Sequence, residues 1–171
     1  STGETACHQC GDGSEVNLAQ TGCNACTAGQ FKAIAGNANC EECTKCGAGQ
    51  KFTGTCSTTA DNTGCTECVG GFYQDASGHT ESSCKGCPAG WQQGAGGKTD
   101  CGQCSAGQFQ NEQSKDTCKD CPTGWYTNNA GVSGCKQCPA GWKQAAQGTS
   151  NCGACAAGAY QNASSKTACK D

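Results

Sequence analysis

The chain has 171 residues, of which 21 are cysteine and 27 glycine; methionine is absent, and Leu18 and Ile34 are its one leucine and one isoleucine. This composition offers almost no aliphatic surface to bury, which excludes an ordinary globular domain of this length. The net charge of −3, from 11 basic and 14 acidic residues without runs of either sign, argues against a surface for nucleic acid or anionic membrane.

Disulfides would supply the stability that a hydrophobic core normally supplies. A bridge that closes a loop of about 15 residues is worth about 3 kcal/mol, because it removes conformational entropy from the unfolded chain. Disulfides in this number persist only in oxidising surroundings, so the sequence predicts an extracellular protein, either secreted or on the cell surface. No segment reaches the roughly 18 apolar residues of a membrane span, and we expect a mature or excised piece without a direct membrane span.

The first predicted region, residues 1–42, holds cysteine-rich repeats of which the first is truncated. Its segment STGETAC (1–7) is similar to the end of a later unit, GGKTDC (96–101). We therefore expect the partner of Cys7 to lie upstream of residue 1, leaving Cys7 unpaired in this chain; a free or intermolecular Cys7 is the alternative. For the neighbouring His8, an exposed imidazole in a turn is favoured over a metal ligand.

The second predicted region, residues 43–67, interrupts the repeat. It holds four cysteines at irregular spacing, for which we expect crossed bridges, Cys43 with Cys56 and Cys46 with Cys65. Its most irregular part is the segment of residues 53–62 (TGTCSTTADN).

The third predicted region, residues 68–171, is a regular array. The first cysteines of its CxxC doublets recur at a constant interval, as Cys84, Cys101, Cys118, Cys135, Cys152 and Cys169. A fixed step of about 17 residues indicates one small unit copied along the chain. The array stops at CKD (169–171), where CKDC (118–121) predicts a further cysteine, so the last doublet is expected to be truncated.

Joining the second cysteine of each doublet to the first cysteine of the next closes every loop of the array. Sequence alone does not fix connectivity, and two bridges between adjacent doublets are the open alternative. The first scheme fits a continuous array better, because each doublet then serves both of its neighbours. Outside the central region it gives Cys10 with Cys23, Cys26 with Cys40, Cys68 with Cys84, Cys87 with Cys101, Cys104 with Cys118, Cys121 with Cys135, Cys138 with Cys152, and Cys155 with Cys169.

Each unit also carries a glycine three residues after the second cysteine of its doublet. A turn with positive φ or a close backbone approach explains such a position. An aromatic residue usually follows, and we expect these rings to cover the neighbouring disulfide and to form what core there is, in preference to a ligand-binding aromatic box. The rings are Phe31, Phe52, Phe72, Trp91, Phe109, Trp125, Trp142 and Tyr160.

The phrase CPAGWxxxxxGxxxCxxC, at residues 87–104 and 138–155, resembles the ephrin-receptor-like cysteine-rich repeats of extracellular proteins in animals, protists and algae. The central segment 43–68 looks instead like a tumour-necrosis-factor-receptor module, a disulfide ladder with crossed bridges. These resemblances imply loop-rich chains with short two-stranded pieces and almost no helix. We therefore expect small disulfide-rich repeats, stacked as an elongated rod of loop and β-hairpin units with a minimal hydrophobic core.

Zinc is the strongest competing chemical interpretation, because the spacing of successive CxxC doublets approximates that of a zinc ribbon. The continuous array favours disulfides, and we expect no metal and no other cofactor. No Ser/His/Asp triad, paired carboxylates or phosphate-binding loop stands out, so we expect that the protein is not an enzyme. Asn162 begins an Asn-Ala-Ser acceptor sequence for N-glycosylation, whereas the rarer Asn24-Ala25-Cys26 form would compete with disulfide formation.

These features together predict an extracellular structural or connective protein, such as a spacer, a stalk or a filament subunit of a cell surface or appendage. The resemblance to protist and algal proteins suggests a mastigoneme-like filament as one form of it. The expected partners are further copies of the chain, other extracellular surface proteins and glycans, but not nucleic acid. The alternative is a receptor-type module whose 53–62 segment binds a protein or glycan ligand, and a zinc-binding protein comes third.

Overall fold

The computed structural model describes residues 9–171, and this part of the chain contains only short strands, turns and loops. Consecutive strands pair as hairpins, most of them with two residues per strand. The pairs are β1 (Ser14–Val16) with β2 (Cys23–Ala25), β3 (Gln30–Phe31) with β4 (Glu41–Glu42), β5 (Gln50–Ser57) with β6 (Ala60–Glu67), β7 (Phe72–Tyr73) with β8 (Lys85–Gly86), β9 (Trp91–Gln92) with β10 (Gly102–Gln103), β11 (Gln108–Phe109) with β12 (Lys119–Asp120), β13 (Trp125–Tyr126) with β14 (Lys136–Gln137), and β15 (Trp142–Lys143) with β16 (Gly153–Ala154).

Small disulfide-rich repeats without helix were expected, and the described residues confirm them. Accordingly, residues 9–171 include no helix that could cross a membrane. Cys7 and His8 lie outside the described residues, so the statements made about them stay predictions.

Two compact units divide the chain. The first comprises the residues up to Gly47 with Lys51–Thr66 and Ser77–Ser82, and the second comprises Ala48–Gln50, Glu67–Ala76 and Ser83–Asp171. The second unit contains most of the regular array. The domain boundaries predicted from the sequence, at residues 43 and 68, stay predictions.

Ten disulfides join the cysteines of residues 9–171. Eight of them link the second cysteine of a doublet to the first cysteine of the next, and the central region has the crossed pairs Cys43 with Cys56 and Cys46 with Cys65. The pairs are the same as those favoured from the sequence, and the two-bridge alternative does not occur among the described residues. Their Cα–Cα separations of 5.5 to 6.2 Å lie in the normal range for a disulfide.

The interior consists of cysteines and polar side chains, not of aromatic rings. The second cysteine of nearly every doublet is buried, and the largest fully buried side chains are Gln74, Gln110 and Thr127. The interpretation of the rings as the core is therefore wrong: the other predicted rings are half-buried, and Trp142 and Tyr160 are exposed. Gly141 and Gly158, which precede these two exposed rings, have no other atom within 4 Å of an added Cβ, whereas another repeat's backbone approaches the glycines before the half-buried Trp91, Phe109 and Trp125.

The residue ten positions after the second cysteine of the doublet has a left-handed backbone conformation in every array loop. Its φ is 66° at Gly78, 67° at Gly97, 70° at Gly131 and 67° at Gly148. Serine occupies the same position twice, as Ser114 with φ 57° and Ser165 with φ 58°. A side chain with a Cβ is disfavoured in this conformation, so these two repeats depart from the residue that their backbone favours.

Ser165→Gly is expected to stabilise the protein by about 1 to 2 kcal/mol, because it relieves the left-handed strain and removes a buried hydroxyl that has no hydrogen-bond partner among the described residues. This expected change is the net value, after the roughly 0.5–1 kcal/mol that the greater freedom of glycine in the unfolded chain costs. Denaturant unfolding with the disulfides intact measures the change. The matched variant is Ser164→Gly, at an exposed neighbour without positive φ, which should be neutral or slightly destabilising. Equal effects of both variants would contradict the explanation.

Candidate functional site, the ladder between repeats

Successive repeats of the second unit are joined by the same three backbone hydrogen bonds, which we call the inter-repeat ladder. Between the repeats that begin at Cys104 and Cys121 they run from the Gly107 N–H to the Thr127 carbonyl (2.8 Å), from the Gln110 N–H to the Val132 carbonyl (3.2 Å) and from the Gly131 N–H to the Cys104 carbonyl (2.9 Å). The equivalent three bonds recur one repeat before and one repeat after. Because only backbone atoms take part, no residue type other than the glycine marks the ladder in the sequence.

The glycine that follows each doublet makes a second backbone bond, to the first residue of the next repeat. Gly107 donates its N–H to the next repeat, while its carbonyl accepts the N–H of Cys121 at 2.9 Å. Its φ is 87°, and the glycines at the equivalent positions from Gly13 to Gly158 all have φ between 70° and 91°. The turn predicted at this position from the sequence is confirmed.

Close approach of another backbone is a second reason for glycine at this position. A methyl group on Gly107 would overlap the carbonyl oxygen of Gly148, which belongs to the repeat after the next one. Gly90 meets Gly131 in the same way. In contrast, no atom lies within 4 Å of the corresponding position on Gly141. Contacts in the array therefore reach two repeats along the chain and depend on the missing side chain.

A buried or half-buried glutamine holds the loop of each of several repeats. Gln110 is 1% exposed; its Nε2 donates to the Thr117 carbonyl at 2.7 Å, and its Oε1 accepts the Glu112 N–H at 3.1 Å. We call this pair of bonds the glutamine clamp. It recurs at Gln74, Gln93, Gln144 and Gln161.

The sequence interpretation missed the glutamine clamp, although the signal was present. In five units a glutamine stands six residues after the second cysteine of the doublet. In two further loops a different side chain forms hydrogen bonds with the loop backbone. Thr127 bonds the Asn129 N–H, and the buried Lys32 donates its Nζ to the carbonyls of Ser14 and Gly36.

Gln110→Ala is expected to destabilise the protein by about 2 to 3 kcal/mol, because it leaves the Thr117 carbonyl and the Glu112 N–H without their partner. Gln93→Ala removes the same clamp from the preceding repeat, where the glutamine is half-buried and water can replace it. Gln93→Ala should therefore lose less stability than Gln110→Ala. Denaturant unfolding without reductant compares the two, and a smaller loss for Gln110→Ala would contradict the importance of burial.

The central hairpin differs from the repeats in its length and in its polar contacts. Strands β5 and β6 have eight residues each. Within the first unit, one Asp61 carboxylate oxygen accepts the N–H and the hydroxyl of Thr44, both at 2.8 Å, and the other accepts the N–H and the hydroxyl of Thr63. The bonds from Thr63 and Thr44 lower the pKa of Asp61 to about 2. The ionised carboxylate thus ties β6 to the segment that follows Cys43.

Asp61 should make the stability of the central hairpin depend on pH in the acid range. A carboxyl whose pKa is lowered in the folded state stabilises it above the unfolded pKa of 3.8, and this contribution is lost as the pH falls towards about 2. Exchange of the Thr44 and Thr63 backbone N–H groups should therefore accelerate as the pH falls over that range, when each rate is compared with the rate in Asp61→Asn at the same pH. Glu112, whose pKa the lysines Lys119 and Lys115 also lower to about 2, is the control: Glu112→Gln should leave the exchange at Thr44 and Thr63 unchanged. An Asp61→Asn protein with the same acid profile as the wild type would contradict the prediction.

One group in residues 9–171 has the proximity of a metal site, namely Cys43, Cys56 and Asp61, whose ligand atoms lie within 4.8 Å of one another. The two sulfur atoms are bonded to each other as a disulfide. Zinc binds thiolates, so this cluster lacks the donors that the zinc interpretation requires. The carboxylate is already occupied by its hydrogen bonds to Thr44 and Thr63.

Comparison with known families agrees with the geometry of the array. A family model described as "Tyrosine-protein kinase ephrin type A/B receptor-like" matches residues 90–133 and again residues 107–150. Residues 90–150 carry ephrin-receptor-like cysteine-rich repeats. The second match begins one step of the array after the first, so the family model follows the same repeat as the cysteines.

The matched ephrin-receptor-like residues do not include the central segment, whose likeness to a tumour-necrosis-factor-receptor module stays a prediction. No curated protein matches the chain. These ephrin-receptor-like repeats, together with the ten disulfides of residues 9–171, indicate an extracellular module.

Proposed function

We propose that the chain is a structural or connective segment of an extracellular protein, namely a spacer, a stalk or a filament subunit of a cell surface or appendage. Its partners are copies of itself, other extracellular surface proteins or glycans, and it catalyses no reaction. The observation that supports this role is the inter-repeat ladder. In the second unit, backbone N–H and carbonyl groups of one repeat bond the next repeat, and glycines such as Gly90 and Gly107 lie against the backbone of the repeat after that.

A connective role also follows from how such an array changes in length. Each repeat contacts its neighbours, so a unit can be added or removed without redesign of a common core. Deletion of residues 104–120 removes one step of the array and leaves every remaining cysteine of the array with a partner at the same spacing. A spacer tolerates this change but becomes shorter.

A receptor-type binding module is the second candidate, and the central hairpin favours it. Strands β5 and β6 are four times as long as the paired strands of the array, and they carry exposed polar side chains such as Thr55 and Asn62. A ligand site is expected to break a regular repeat locally, as this hairpin does.

Two variants of the parent protein, produced in the cells that make it, distinguish the two roles. The first lacks residues 104–120, and the second carries Thr55→Lys with Asn62→Lys, which changes the hairpin surface and keeps Cys56. For a connective segment, electron microscopy of tagged protein should show a shorter surface structure or appendage for the deletion and an unchanged one for the hairpin variant. Unchanged dimensions after the deletion, with attachment lost in the hairpin variant, would overturn the structural role in favour of the receptor.

A further inference from the structure

We propose that Asn162 carries an N-linked glycan. Asn162-Ala163-Ser164 is the one Asn-x-Ser/Thr sequence in the chain. The inference rests on the extracellular location that belongs to the proposed function, because N-glycosylation acceptors of this kind are used on secreted chains.

The loop that contains Asn162 presents its side chain to solvent. The loop is closed by the disulfide between Cys155 and Cys169, and the side chains of Asn162 and Ser164 are both exposed. The residue before them holds the loop from inside: Gln161 is 6% exposed, its Nε2 donates to the Ala168 carbonyl at 2.8 Å, and its Oε1 accepts the Ala163 N–H at 3.2 Å. The glutamine clamp thus fixes the backbone without using the Asn162 amide.

A glycan on Asn162 would leave the inter-repeat ladder intact. In this repeat the ladder uses the carbonyls of Gln161 and Lys166 and the N–H of Ser165. The three residues of the acceptor sequence lie between these positions and take no part in the ladder. A glycan on Asn162 is therefore compatible with every hydrogen bond of the inter-repeat ladder in this repeat.

Equivalent loops show what distinguishes Asn162. Asn111 and Asn128 also stand seven residues after the second cysteine of a doublet and are exposed, but neither has a hydroxyl residue two positions later. Asn111 also accepts a hydrogen bond from the Lys119 Nζ at 2.8 Å. In the Asn24-Ala25-Cys26 alternative, the Cys26 sulfur is buried in a disulfide with Cys40. The structure therefore favours Asn162 over every other asparagine of the chain that resembles an acceptor.

Peptide mass spectrometry of the full chain, secreted by a eukaryotic host and treated with an amidase that releases N-glycans, tests the site. We expect one glycan on Asn162 in the wild type and none in Asn162→Gln or in Ser164→Ala, which keeps the asparagine and removes only the exposed hydroxyl. Gln113→Ser is the matched gain-of-site variant, because it gives Asn111 the missing hydroxyl in an equivalent loop; it should add a second glycan.

An unmodified Asn162 in the secreted wild type would overturn the proposal, and so would a glycan at Asn162 that persists in Ser164→Ala. The mass of the same protein without reduction separates this failure from that of the proposed function. Oxidised cysteines with a bare Asn162 would overturn the glycan alone. Free cysteines in the protein isolated from its natural source would overturn the extracellular location and with it the proposed function.

Discussion

Loss of the disulfide between Cys104 and Cys118 is expected to destabilise the folded chain by about 3 kcal/mol, the chain-entropy value for a loop of about 15 residues. The bridge spans 14 residues, and Cys104 is 1% exposed, so Cys104→Ala with Cys118→Ala also opens a gap in the small interior. Denaturant unfolding without reductant measures the loss. Reduction of all the bridges should unfold the chain, because little apolar surface remains to hold it together.

The matched double variant is Cys155→Ala with Cys169→Ala. Its bridge also spans 14 residues, so the entropy term is equal, but Cys155 is only half-buried. It should lose less stability than the variant at Cys104, and the difference measures the contribution of the buried sulfur. A reduced chain that kept well-dispersed amide signals in an NMR spectrum would show that something other than the disulfides maintains the fold.

Gly107→Ala is expected to destabilise the protein by about 2 to 5 kcal/mol, because the new methyl group meets two obstacles. The residue has φ 87°, which costs a side chain with a Cβ about 1 to 2 kcal/mol. The methyl group would also overlap the Gly148 carbonyl, so the backbone of the repeat after the next one must move. Unfolding by denaturant and susceptibility of the 138–152 loop to a protease should both report the change.

Gly141→Ala separates the cost of the left-handed backbone from the cost of the overlap between repeats. Gly141 has φ 82°, nearly the same as Gly107, but no atom lies within 4 Å of its added methyl group. It should show only the loss from the left-handed backbone, about 1 to 2 kcal/mol. Equal losses for the two variants would contradict the close approach between repeats.

The features that sequence could predict are those that depend on one residue type at a fixed step. The cysteine pairs of the array and the positive φ of glycines such as Gly107 belong to this class, since one pairing lets each doublet serve both of its neighbours and few residues other than glycine tolerate the turn. Four cysteines allow three pairings, so the crossed bridges of the central region were an expectation that the sequence did not fix.

The features that sequence did not yield involve backbone atoms or polar residues with many possible partners. The inter-repeat ladder is made of N–H and carbonyl groups that nearly every residue has, so nothing but the glycine marks it. Glutamine and aspartate are ordinary in loops, and nothing in the local sequence shows that Gln110 is buried or that Asp61 binds Thr44. The sequence predicts the aromatic rings as the core because cores are normally apolar. The buried side chains are instead cysteines and polar residues, such as Gln110, that hydrogen-bond the loop.

Mapping of the bridges in the natural protein tests the central claim most directly. Proteolytic peptides prepared without reduction, with free thiols alkylated first, should show the second cysteine of each doublet bonded to the first of the next, together with the crossed pairs Cys43 with Cys56 and Cys46 with Cys65. That result is the one the disulfide-stapled array predicts. Two bridges between adjacent doublets, or free thiols with bound zinc, would contradict it.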